Sequence, residues 1–191
     1  WPILFIFIIG LVFVLERLYH LIKGLSSNEE FAQDVANIIK DSGIDSALSK
    51  CDDAEGPVAN LCIAALERAS LGADEAEQAL NYSGSIEMAS MEKNMTWISL
   101  CIATAPMLGF LGTVWGMIQA FNDIKMANDI SPAVVAGGIS VALLTTAFGL
   151  VVAVILQLFQ NAVLYIIDNQ IVTLQKSTTT LLHTIKDINR N

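Results

Sequence analysis

The chain has 191 residues, of which 54% are hydrophobic and only 15% charged, and its mean hydropathy is +0.58. That balance excludes an ordinary soluble domain and fits a membrane protein. Net charge is −9 and the acids gather between Glu29 and Glu92, which excludes nucleic-acid binding, since that needs basic surface.

Trp1 to Leu15 is uninterrupted apolar sequence, followed by Glu16 and Arg17. As helix it is only about 22 Å long, short of a ~30 Å hydrocarbon core. Either apolar residues precede Trp1, or the helix continues to about Ile22 while Glu16, Arg17 and Lys23 reach toward the interface. Residues 1–22 are assigned as the first transmembrane helix, with Trp1 and Tyr19 near opposite interfaces. The chain starts without Met, so the true N-terminus is expected upstream. No basic n-region or small-residue cleavage site marks a signal peptide.

Residues 23–93 read as a helical region outside the membrane. Ser27 and Glu30 resemble a capping box, followed by an amphipathic helix to about Asp41 with Phe31, Val35, Ile38 and Ile39 on one face. Gly43 ends it, and Ser46 to Lys50 is a short helical piece with Asp45 as its cap. Gly56-Pro57 starts another helix, whose apolar face is Val58, Leu61, Cys62, Ala65, Leu66 and Ala69; Gly72 stops it. A further helix from Asp74 is expected to run into the next span, with Gly84 as its weak point. This region is too small and polar to own a large core, so its helices should pack on extensions of the membrane helices. Three cysteines, Cys51, Cys62 and Cys101, form no disulfide framework and no paired metal-ligand spacing. Cys101, inside an apolar run, reads as a small packing residue.

Asn94 to Asn122 holds no Asp, Glu, Lys or Arg. At about 43 Å of helix it crosses a bilayer, and residues 94–122 are the second transmembrane helix. Gly109, Gly112 and Gly116 share one face, and Gly112 and Gly116 form a G-x-x-x-G pair that lets another helix approach closely. Residues 123–132 form an outer loop, with Ser131 as cap and Pro132 in the first turn of the next helix. Ile130 to Ile167 contains no Asp, Glu, Lys, Arg or His. That is about 57 Å of helix, so it must project past the membrane. Residues 133–160 are the third transmembrane helix, emerging near Gln157, Gln160 and Asn161. Residues 161–191 form a helical extension and tail, with Ile171, Leu174, Leu181, Ile185 and Ile188 in one seam and Thr178 in its remaining position. That seam serves either to lay the tail along the chain's own helices or to form a collar between copies.

Of ten Lys and Arg, only Lys125 lies between the second and third spans. The positive-inside rule therefore puts the N-terminus outside and the C-terminus in the cytoplasm. The third helix carries its own small-residue stripe, Gly138, Ala142, Thr145, Thr146, Gly149 and Ala153, matching the glycine face of the second. Such stripes serve ordinary helix packing or line a hydrated lumen. Intramembrane threonines often bond their own i−4 carbonyl, but Thr113, Thr145 and Thr146 all stand at or beside these faces. Proton relays through lipid use Asp, Glu, His or Lys, and these two spans have none. If protons pass, the titrating group comes from another chain. His20 and His183 read as surface residues. No nucleophile–base set, phosphate-binding loop or carboxylate dyad supports an enzyme, and no cofactor or metal is expected.

The stretches APMLGFLGTVWGMIQAF and ISPAVVAGGISVALLTTAFGLVVAV resemble those of the MotA/TolQ/ExbB proton-channel family, closest to its ExbB/TolQ-like branch. The resemblance implies an all-α membrane protein with three transmembrane helices and long cytoplasmic extensions, assembling as a homopentameric ring in the bacterial inner membrane. It implies single-span ExbD- or TolR-like partners inside the ring, whose transmembrane Asp carries the proton, and a TonB- or TolA-like periplasmic partner that receives force. The energy source is the proton gradient. By position, the pore threonines are Thr113 of G-T-V and Thr146 of T-A-x-G-L, with Thr145 an added hydroxyl; Gly109, Gly112, Gly116, Ala142 and Gly149 are the packing positions around the lumen. Many ExbB proteins carry Glu where this chain has Val141. The cytoplasmic loop is shorter than a MotA-type flagellar stator requires.

Overall fold

The computed structural model describes residues 1–24, 29–127 and 132–190. Among them every regular element is an α-helix: α1 (Pro2–Gly24), α2 (Glu29–Ser42), α3 (Ile44–Asp52), α4 (Pro57–Ala69), α5 (Ala73–Met91), α6 (Met95–Ala127) and α7 (Pro132–Arg190). Three stretches, Pro2–Ile22, Ala73–Met126 and Val135–Asp187, contain helix long and apolar enough to cross a membrane. The chain is a multi-pass membrane protein. The Ser27 capping box and the Ser131 cap lie outside the described residues.

The chain divides into two compact units, with α1 and α7 contributing to both. The first comprises Trp1–Arg17 and Asn94–Val163, that is, most of α1, all of α6 and the first part of α7. Gly10 lets α1 press against its neighbours: a methyl placed there would lie 2.8 Å from Leu156 Cδ1 and 3.3 Å from Cys101 Cβ. Phe13 and Trp97 stack with ring centroids 6.2 Å apart. At the Arg17 end, Glu16 accepts from the Arg17 guanidinium at 3.0 and 3.1 Å and from Asn94 Nδ2 at 3.1 Å. Gln160 is turned inward, only 8% exposed, and its Nε2 donates to Ser99 Oγ at 2.6 Å. Beside it, Gln157 donates to Asn161 Oδ1 at 3.2 Å.

The second unit comprises Leu18–Lys93 and Leu164–Asn191. Its core takes Ala32, Val35, Ala36 and Ile39 from α2, Ala47 and Cys51 from α3, and the whole expected face of α4. On α7, Leu174, Leu181 and Ile185 are buried in this same unit. Gln170 Nε2 donates to the Leu21 carbonyl at 2.9 Å, and Lys186 pairs with Glu77 at 2.7 Å. The tail seam is therefore used within one chain, not held free for a collar; the side chain of Ile188 is outside the described set. Ser177 and Thr184 sit in the core because each bonds a carbonyl four residues back, at 2.9 and 3.1 Å, which satisfies the hydroxyl locally.

Two local expectations change. Gly43, not Asp45, caps α3, with no side-chain cap bond; Asp45 stands in the first turn, where a negative charge suits the helix dipole. The helical break before α6 falls not at Gly84, which stays inside α5 with Leu61 beside it, but at Asn94, whose φ is 65°. Asparagine tolerates this left-handed conformation better than most residues.

Candidate functional site

The first unit brings the two small-residue stripes together as one antiparallel seam. Ala105, Gly109, Gly112, Gly116 and Ala120 of α6 face Gly138, Ala142, Thr145 and Gly149 of α7. A methyl on Gly116 would lie 2.8 Å from the Gly138 carbonyl oxygen and 3.0 Å from Ala142 Cβ. One on Gly149 would lie 2.6 Å from the Ala105 carbonyl oxygen, and one on Gly109 would lie 3.1 Å from Thr146 Cα. The obstacles are backbone atoms, which cannot turn aside, so side-chain-free positions set the helix separation. At Gly112 the space is filled by Thr145 itself, whose Cβ would be 2.6 Å from an added methyl.

The three threonines use their hydroxyls differently. Thr113 Oγ1 donates to the Phe110 carbonyl at 2.6 Å and Thr145 Oγ1 to the Ala142 carbonyl at 2.9 Å, each within its own helix. Thr146 Oγ1 instead crosses the seam and donates to the Gly109 carbonyl at 3.1 Å. In each case the hydroxyl oxygen keeps acceptor capacity for a water or a passing donor.

A cavity of about 810 Å³ opens beside the seam, lined by Trp1, Pro2, Ile3, Leu108, Leu111, Gly112, Trp115, Gln119, Val141 and Thr145. Thr145 and Val141 belong to this groove next to the start of α1; Thr113 and Thr146 are not part of its lining. The structure therefore separates Thr145 from the other two. Periodicity had grouped all three, because sequence spacing gives a helix face and not which neighbouring helix covers it. The Thr146–Gly109 bond was hidden for the same reason: it depends on the inter-helix register. No acid, histidine or lysine lines the groove or the seam, and no group of side chains suited to holding a metal occurs among the described residues.

Residues 53–176 match the model of the MotA/TolQ/ExbB proton channel family. The chain is 32% identical over 165 residues to a putative biopolymer transport protein ExbB homolog of Methanothermobacter thermautotrophicus, covering 86% of this chain and 58% of the relative. It is 25% identical to the putative biopolymer transport protein ExbB-like 3 of Synechocystis, covering 93% of this chain and 85% of the relative. Over 77 residues it is 34% identical to the Tol-Pal system protein TolQ of Haemophilus influenzae, covering 40% of this chain and 34% of the relative. The chain thus spans 58% of the length of the first of these relatives. Since the matched stretch contains the whole α6–α7 seam and all three threonines, the chain belongs to the MotA/TolQ/ExbB proton channel family, in its ExbB/TolQ-like branch.

Proposed function

We propose that this chain is the channel subunit of an inner-membrane motor that converts proton-motive force into work on an envelope partner, in the manner of ExbB. Copies assemble as a homopentamer, with the N-terminus periplasmic and the second unit cytoplasmic. Thr113 and Thr146 border the lumen, and a single-span ExbD- or TolR-like partner supplies the transmembrane Asp. The observation carrying this reading is electrostatic: the paired spans, 94–122 and 133–160, offer hydroxyls and close backbone contact but no Asp, Glu, His, Lys or Arg. A proton held in hydrocarbon needs a titratable group, so that group must be the partner's. Val141 stands where many ExbB proteins carry Glu, which leaves the partner's Asp as the intramembrane acid. A TonB- or TolA-like protein takes up the force, for TonB-dependent transport; a TolQ-like role in envelope maintenance or a gliding motor differs only in that partner.

A second reading has its own support. The seam glycines are covered by their own α7, so the stripes need no lumen to explain them, and a non-conducting membrane scaffold would use the same packing. Proton flux into vesicles distinguishes the two: the motor subunit conducts when its Asp-bearing partner is present, and the scaffold never does.

A further inference from the structure

Four polar side chains are linked by hydrogen bonds at the inner end of the α6–α7 pair. Gln157 Nε2 donates to Asn161 Oδ1 at 3.2 Å and to Gln160 Oε1 at 3.4 Å. Gln160 Nε2 donates across to Ser99 Oγ at 2.6 Å, and Ser99 donates to the Met95 carbonyl at 3.2 Å. Gln160 is covered, whereas Gln157, Asn161 and Ser99 reach the surface. Ser99 stands five residues into α6 from Asn94, about 7 Å of helix from the Glu16–Arg17–Asn94 cluster.

The network lies on the face of α7 that carries Thr146. Leu156 is buried where α1 presses, 2.8 Å from a methyl placed on Gly10, and Thr145 lines the groove beside the start of α1. Gln157 and Thr146 each follow one of these by one residue, a rotation of about 100° around the helix. From Thr146 to Gln157 the helix makes three turns plus about 20°, so the two side chains share a face about 16 Å apart. On α6 a further polar group lies between these depths. Pro106 sits inside the helix and has no N–H, so the Ile102 carbonyl loses its helical donor. Exposed amides in hydrocarbon are costly, and an apolar contact would pack this end of the spans as well. Each amide offers two donors and a carbonyl oxygen that accepts twice, so the surface pair keeps capacity for water.

We infer that Gln157, Asn161 and Ser99 form the cytoplasmic mouth of the ion path, a neutral hydrated vestibule, with Gln160 as the positioning residue that ties its two walls together. The inference rests on the channel reading proposed above. The proton leaves the partner's carboxyl for a water, the carboxylate stays behind, and the amide and hydroxyl oxygens accept hydrogen bonds from the departing hydronium. No side chain of the mouth holds the charge, so the cation is not trapped on its way out.

Gln157→Cys tests the mouth in the complex with the Asp-bearing partner, in inside-out vesicles. Two membrane-impermeant methanethiosulfonates are added outside, one a quaternary ammonium and the other a sulfonate. Labelling is read by mass and fold by circular dichroism. The cationic label is expected to cut proton flux severalfold by repelling the departing cation. The anionic label should cut it less or raise it, and dithiothreitol should restore the starting rate. The wild-type complex, whose three cysteines are buried, should ignore both reagents. Asn161→Cys, at the same mouth, repeats the reading should Gln157→Cys carry no flux before labelling. Equal inhibition by both labels, full labelling without effect, or a thiol closed to both reagents would overturn the inference and leave the channel reading standing. A wild-type complex without flux would overturn that reading, and the inference with it.

Discussion

Thr146 Oγ1 donates across the membrane hairpin to the carbonyl oxygen of Gly109 at 3.1 Å. That single bond ties α7 to α6 where both helices lack side-chain bulk. Thr113, one turn beyond Gly109, keeps its hydroxyl on its own helix at the Phe110 carbonyl. The two residues assigned to the lumen therefore differ in what they do for the fold.

From that difference, Thr146→Val should lower stability by about 0.6 kcal/mol, the mean for hydrogen bonds between membrane helices. The loss is small because the Gly109 carbonyl keeps its helical partner. Thr113→Val should leave stability unchanged, since the bond it removes only replaces one the helix already satisfies. Both should impair transduction. Unfolding in mixed micelles together with a transport assay separates the two effects; equal stability losses would show that the crossing bond contributes nothing.

The seam predicts which glycines tolerate a methyl. Gly149→Ala meets the Ala105 carbonyl and should destabilise the protein by about 1–3 kcal/mol, as overpacking does. Gly137→Ala, with no atom within 4 Å of the added methyl, should be neutral or stabilise by up to ~1 kcal/mol through helix propensity. Melting curves in one detergent test the pair.

Gln160 is nearly buried and reaches Ser99 Oγ at 2.6 Å. Ser99→Ala should strand the amide at a cost of about 1–3 kcal/mol, and adding Gln160→Leu should recover much of it. A double-mutant cycle reads this directly; additive losses would mean the bond is not made.

Lys186 and Glu77 form a short ion pair, but their side chains are 47% and 40% exposed. Glu77→Gln should change stability by less than about 1 kcal/mol, because exposed pairs are screened by water and salt. Chemical denaturation at low and high salt is the check.

Much of this fold was legible because long runs of one residue class leave few alternatives. The charge-free stretch at 94–122 announces a helix long and apolar enough to cross a membrane, and Gly56-Pro57 with Val58, Leu61 and Leu66 announces a helix and its buried face. Features that depend on inter-helix register or a single backbone angle were not legible. Asp45 and Gly43 are both reasonable caps on paper, and only the backbone chooses glycine. Gly84 is the weaker helix former, yet Leu61 packs against it and the break goes to Asn94. At the site, the stripes could be read from spacing, but not that they would cover each other within one chain. That covering leaves Thr145 and Val141 beside α1 and apart from Thr146.

Proton flux into sealed vesicles under an imposed potential tests the central claim most directly, with the chain alone, with an Asp-bearing single-span partner, and with that partner's Asp changed to Asn. The account predicts no uncoupler-sensitive flux from the chain alone, flux with the intact partner, and its loss with Asn. Strong conductance by the chain alone would contradict it, because the proton would then have to pass spans, 94–122 and 133–160, that contain no Asp, Glu, His or Lys.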